Sequence, residues 1–149
     1  MLDKELQLID KYTNHYKTVN LKVSESSVGW HLDHSLKVIN LVNDTIKKSK
    51  ESEFKKEFSG LSLLTFTFGF FPRGKARSPK RVLPPEVILK EDIENQLKIA
   101  KEHLKSFEAL DDNQFFTHPL FKQLNKRQTQ KFLKLHTNHH LKIIKEILR

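Results

Sequence analysis

The sequence predicts an all-α protein, a single bundle of four helices over residues 1–149. Three observations lead there. Only four of the 149 residues are glycine and five are proline, while Lys, Leu and Glu abound. Apolar residues recur at helical spacing in four separate stretches. One of those stretches carries His136 and His140 four residues apart, which places both imidazoles on one face of a helix.

The first helix is expected over residues 3–17, where Leu6, Leu8, Ile9, Tyr12 and Tyr16 share a period near 3.6. Residues 20–25 have no helical period and read as a connecting loop. The second helix starts near Ser26 or Ser27, since a serine hydroxyl there accepts a bond from a free N–H of the first turn. It continues to about Ser49, with Val28, Leu32, Leu36, Ile39, Val42 and Ile46 as its apolar stripe. Gly29 weakens its first turn slightly, or lets a neighbouring helix come close.

Residues 53–71 are β-branched and aromatic in part. No partner strand is evident elsewhere, so a short helix or irregular packed segment is preferred there. Residues 72–85 hold all but one of the prolines and carry Arg73, Lys75, Arg77, Lys80 and Arg81. They read as a long basic loop between the second and third long helices, and loops of that length in a small domain are often functional. The third helix is expected over residues 85–109, opening on proline in its first turn. Val87, Ile88, Ile93, Leu97, Ala100, Leu104 and Phe107 recur along it. Residues 111–124 read as a connection. The fourth helix begins at Asn125, with Gln128 three residues later as in a capping box, and runs to the C-terminus.

The bulk numbers restrict function only loosely. A formal charge of +9 permits binding to nucleic acid, anionic lipid or an acidic small molecule without choosing among them. The absence of cysteine excludes disulfides, thiolate metal sites and a cysteine nucleophile in this chain. The charged N-terminal residues do not suit a signal peptide, and no run approaches the roughly 18 apolar residues of a membrane span. A soluble cytoplasmic protein with no membrane association is expected.

The histidines carry the chemistry. Around His136 and His140 lie Phe132, Leu133, Ile143, Ile144 and Ile147, so the pair falls on the stripe that faces the core. His31 and His34 are neighbours early in the second helix. A bundle can bring three imidazoles from these two helices around one divalent ion, leaving open positions as catalytic sites do. Spacing alone leaves two readings open, a metal site or ordinary packed histidines. No glutamate lies between His136 and His140, so metalloprotease chemistry is not indicated.

Three runs stand in order along the chain. They are Ser27-Val28-Gly29-Trp30-His31-Leu32-Asp33-His34, the basic Phe71-Pro72-Arg73-Gly74-Lys75-Ala76-Arg77-Ser78-Pro79-Lys80, and His118-Pro119-Leu120-Phe121-Lys122-Gln123-Leu124 followed by His136-Thr137-Asn138-His139-His140. With them the sequence resembles the DinB/YfiT-like superfamily of metal-binding four-helix bundles, in a branch of unknown function. The resemblance spans residues 24–144. It implies one ligand from the second helix and two from the fourth, which by position are His34, His136 and His140. It ranks His31 as a neighbour that orients or replaces a ligand; His139 falls between the pair, either supporting a ligand or facing solvent. The branch often has glycine where Lys122 stands.

The same resemblance implies a divalent transition metal and a low-molecular-weight thiol cofactor such as bacillithiol or glutathione; imidazole suits zinc, nickel, iron and copper alike, with zinc or nickel preferred. The chemistry is then thiol S-transfer or hydrolysis on a small-molecule substrate, with homodimers common in the superfamily and no catalytic residue assigned. Arg73, Lys75, Arg77, Lys80 and Arg81 are candidates to hold the carboxylates of such a cofactor. Two other classes compete: a non-catalytic helical binding module, and a nucleic-acid binder acting through residues 73–81. The basic segment has no interleaved aromatic platform for bases, which argues against nucleic acid. His118 is a candidate acid–base group, although the following proline points to a structural role at the start of the fourth helix. Trp30 is expected to anchor the core, Asp33 to face solvent, and His15 and His103 to be surface or packing residues.

Overall fold

A computed structural model describes residues 1–57, 59–69 and 80–149. The protein is mostly helical. The helices are α1 (Asp3–Thr13), α2 (Val28–Lys48), α3 (Gly60–Phe68), α4 (Lys90–Phe107) and α5 (Lys126–Ile147). Helix α1 packs against α2, α4 and α5, and α2 packs against both α4 and α5. One buried cluster joins them. It takes Leu6 and Ile9 from α1, Leu32, Leu36 and Ile39 from α2, Ile93 and Leu97 from α4, and Leu133 and Ile144 from α5. Each such side chain contributes about 1.5–3 kcal/mol by leaving water. The stripes expected on α2 and α5 are the buried ones.

Helix α2 begins where the serine signal places it. Ser27 caps it, accepting the Trp30 N–H at 3.1 Å. Its first turn is also tied to the segment after α1. Val28 N–H donates to the Thr18 carbonyl and Gly29 N–H to the Tyr16 carbonyl. Those tethers accompany an early end to α1, at Thr13 rather than near residue 17, with Tyr16 in the turn that follows and Thr18 just beyond it. A Cβ on Gly29 would lie 2.8 Å from the Tyr16 oxygen, so the close approach foreseen at this glycine is to the turn after α1.

Helix α5 opens with a complete capping box. Asn125 accepts the Gln128 N–H, and the Gln128 side chain accepts the Asn125 N–H. Two free donors of the first turn are thereby satisfied.

Three expectations need correction. Helix α4 starts at Lys90, not at Pro85. Val87 and Leu89 are exposed, and only Ile88 of that stretch packs on the core, so the helical stripe begins with Ile93. Residues 111–124 are more than a connection. Strands β1 (Phe115–His118) and β2 (Lys122–Asn125) form an antiparallel hairpin, with Phe116 opposite Leu124 and His118 opposite Lys122. Asp33 does not face solvent. It is buried between Lys37, 2.8 Å away, and the Gln96 amide, which donates to it at 2.7 Å and so clasps α2 to α4.

Of the basic segment, Arg73, Lys75 and Arg77 fall outside the described residues, while Lys80 and Arg81 lie exposed in a short 3-10 turn, Lys80–Val82. The residues preceding α3 include a second such turn, Glu51–Glu53. The short helix preferred for residues 53–71 is present as α3. Among the described residues, no helix is long and apolar enough to cross a membrane.

Candidate metal centre

His34 lies in the first half of α2, and His136 and His140 on consecutive turns of α5. Because α2 and α5 pack together, their histidines meet. Each of the three offers a ring nitrogen, and those nitrogens all lie within 4.8 Å of one another. Ring centroids are 4.8 Å apart for His34 and His140, 4.7 Å for His136 and His140, and 5.2 Å for His34 and His136. Two imidazole nitrogens sharing one tetrahedral ion at about 2.1 Å are roughly 3.4 Å apart. Small ring rotations close a difference of that size. The donor set fits a divalent transition ion and is too nitrogen-rich for magnesium or calcium.

Two of the rings are held by their far nitrogens. His34 Nδ1–H donates to the Val82 carbonyl at 2.8 Å, and that carbonyl ends the Lys80–Val82 turn. The turn is fastened to α2 a second time, where Lys37 Nζ donates to the Leu83 carbonyl at 3.2 Å. His140 Nδ1 lies 3.0 Å from His31 Nδ1. With Nδ1 engaged on each ring, Nε2 is the nitrogen left for an ion.

The electrostatics keep these imidazoles neutral, the form that binds metal. Burial pushes His136 and His140 well below the usual histidine range, and the neighbouring histidines add to the effect in both. His34 is also lowered, by burial first, with the Val82 bond and Asp33 opposing.

Trp30 is half-buried and stacks on the His34 ring, with centroids 5.0 Å apart and planes 22° off parallel. It walls the cluster instead of anchoring the core interior. His139 meets His140 edge-on at 5.2 Å. His118 plays a structural part. Its Nδ1 accepts the N–H groups of Leu120 and Phe121, its ring stacks on Phe121, and burial pulls its pKa down to about 4. His15 is exposed, and His103 is half-buried beside Asp44.

Sequence reasoning missed two partners of the cluster. One is the Val82 carbonyl, a backbone group that carries no side-chain signature. The other is Ser24, whose hydroxyl lies 3.1 Å from His31 Nε2. Its only signal was a small polar residue near the start of α2, and Ser26 and Ser27 give the same signal.

The fold and cluster define a class: an α-helical protein in which two packed helices present three histidines as a candidate metal centre. The chain belongs to the DUF1569 family, described as protein of unknown function, whose sequence profile matches residues 13–147 and so spans all three histidines. No curated protein and no solved structure matches the chain.

Proposed function

We propose that the protein is a metal-dependent enzyme of the DinB/YfiT-like type, carrying out thiol S-transfer or hydrolysis at a three-histidine divalent metal site. The observation that carries this reading is the convergence of His34, His136 and His140 within 4.8 Å. Three neutral nitrogen donors leave open coordination positions, as a catalytic site requires. Imidazole accepts zinc, nickel, iron and copper alike, and zinc and nickel are the ions to test first.

Four helices sharing one core, α1, α2, α4 and α5, support that reading. A bound ion would supply acidification of an exogenous thiol or of water, producing a nucleophile near neutral pH. The chain's own residues hold and orient. His34 presents Nε2 because its Nδ1–H is given to the Val82 carbonyl, His140 meets His31 through Nδ1, and Trp30 covers one side of His34. In a transfer step the thiol would give its proton to solvent, its sulfur would bond to an electrophilic carbon, and the leaving group would depart from that carbon with the bonding electron pair.

Lys80 and Arg81 stand in the turn that supplies the Val82 carbonyl to His34, so cationic side chains lie one or two residues from a group touching the cluster. With Arg73, Lys75 and Arg77 they would hold the carboxylates of a small thiol cofactor. A cytoplasmic location and a homodimer accord with this reading.

The test is metal content by elemental mass spectrometry on untagged protein, beside His136→Ala. About one transition metal per chain, lost in the variant, is the expected result. Protein that takes up no metal after reconstitution overturns the proposal and favours a non-catalytic binding module. Metal-loaded protein is then assayed for conjugation of a low-molecular-weight thiol to an electrophile.

A further inference from the structure

A fourth histidine, His31, packs against the three clustered ones. His31 is buried on α2, one turn before His34. Both of its nitrogens are engaged. Nδ1 lies 3.0 Å from Nδ1 of His140, and Nε2 lies 3.1 Å from the Ser24 hydroxyl. That hydroxyl also accepts the Ser26 N–H at 3.1 Å.

Two nitrogens 3.0 Å apart share one proton, so the tautomers of His31 and His140 are coupled. Two arrangements satisfy the chain of bonds. In the first, His140 Nδ1–H donates to His31 Nδ1, and His31 Nε2–H donates to Ser24 Oγ. The lone pair of His140 Nε2 is then available to an ion. In the second, His31 Nδ1–H donates to His140 Nδ1, and the Ser24 hydroxyl donates to His31 Nε2. A neutral His140 then carries its proton on Nε2 and cannot ligate. The serine hydroxyl, both donor and acceptor, can terminate either arrangement.

We propose that His31, anchored by Ser24, is a positioning residue that accepts the Nδ1–H of His140 and holds it in the tautomer whose Nε2 binds an ion shared with His34 and His136. The inference rests on the metal reading above and deepens it. Bonds from the far nitrogen of a ligating histidine to an acceptor commonly set its tautomer and ring orientation. Here the acceptor is a second imidazole, itself oriented by a hydroxyl on the loop before α2. The Ser24–His31–His140 series thus runs from the residues preceding α2 to α5.

The experiment is a cobalt(II) titration followed by the visible absorption of the bound ion, on wild type, His31→Leu, His31→Asn, Ser24→Ala and His136→Ala. Leucine fills the space of His31 without an acceptor. Asparagine places its Oδ1 near the position of Nδ1. His31→Leu is expected to bind cobalt about 10–100-fold more weakly, with a changed spectrum. His31→Asn recovers most of the loss, and Ser24→Ala shows a smaller weakening in the same direction. In the zinc-loaded wild type, nitrogen-15 NMR should find His140 protonated at Nδ1 and His31 at Nε2.

Unchanged affinity and spectrum in folded His31→Leu overturns the inference, as does His31→Asn behaving no better than His31→Leu. If His31→Leu does not fold, unchanged binding in Ser24→Ala overturns it. Cobalt binding lost in His136→Ala but untouched by the His31 and Ser24 variants removes only the positioning role. No cobalt binding by wild type removes the metal reading and this inference together.

Discussion

His34 Nδ1 and the Val82 carbonyl are 2.8 Å apart and buried, which ties the middle of the cluster to the far end of the basic segment. Helix α2 supplies the ring, but a residue 48 positions later fixes which of its nitrogens faces the other histidines. Val82 is itself buried in the core, so the carbonyl is held from both sides of its residue. A displacement of the Lys80–Val82 turn would release the His34 ring.

On the proposed metal reading, the Val82 bond separates stability from metal binding. His34→Leu strands the Val82 carbonyl without a donor, at a cost of about 1–3 kcal/mol. His34→Asn keeps a donor where Nδ1 stood but offers no Nε2. Both variants should lose zinc in a chelator competition, while urea unfolding finds His34→Asn the more stable. Equal stability of the two would show that the Val82 bond contributes little.

Gly29 gives a sharper steric test. Its N–H reaches the Tyr16 carbonyl at 2.7 Å, and an added Cβ would lie 2.8 Å from that oxygen and 3.3 Å from the Tyr16 Cβ. Alanine offers up to about 1 kcal/mol of helix propensity at an unconstrained position. Backbone cannot yield as a flexible side chain can, so the clash dominates. Gly29→Ala should destabilise by about 1–2 kcal/mol net, read as a lower urea midpoint with unchanged slope.

Helix starts with side-chain signals were legible in the sequence. Ser27 and the Asn125–Gln128 pair sit where expected because a cap is a local bond between near neighbours. The histidine cluster was legible because His136 and His140 repeat at one helical turn, and the resemblance supplied His34. The hairpin at residues 115–125 was not. Its strands are four residues each, too short for alternation to stand out, and the fold holds their aromatic residues through contacts such as Phe116 with Phe132. Asp33 was misplaced for a similar reason. Its burial depends on Gln96, 63 residues away, and no local pattern reports that pairing.

Lys122 occupies a left-handed backbone conformation, with φ of 64° at the start of β2. A residue with a Cβ costs roughly 1–2 kcal/mol there, whereas glycine adopts it readily. The glycine common at this position in the resembling branch suits that geometry. Glycine also loses more freedom on folding, which offsets part of the gain. Lys122→Gly should therefore raise stability by about 0.5–1 kcal/mol in urea unfolding. It should leave cobalt affinity unchanged, since Lys122 is not one of the three clustered histidines and faces His118 across the hairpin. A destabilised variant would mean that the lysine side chain makes a compensating contact.

The buried histidines set the response to acid. His34, His118, His136 and His140 all lie below 6.5 in the folded protein, with burial the largest cause in each, and His118 falls to about 4. An unfolded chain takes up protons on these rings near pH 6.5, before the folded chain does. Stability is therefore complete above about pH 6.5 and declines as the pH falls from there toward the folded values. Metal-free protein should show a falling thermal midpoint between pH 7 and pH 4. His118→Asn keeps an acceptor for the Leu120 and Phe121 N–H groups but has no proton to gain. Its midpoint should fall less steeply over the same range. An equal slope would assign the acid sensitivity to the other lowered rings, His34, His136, His140 and His103.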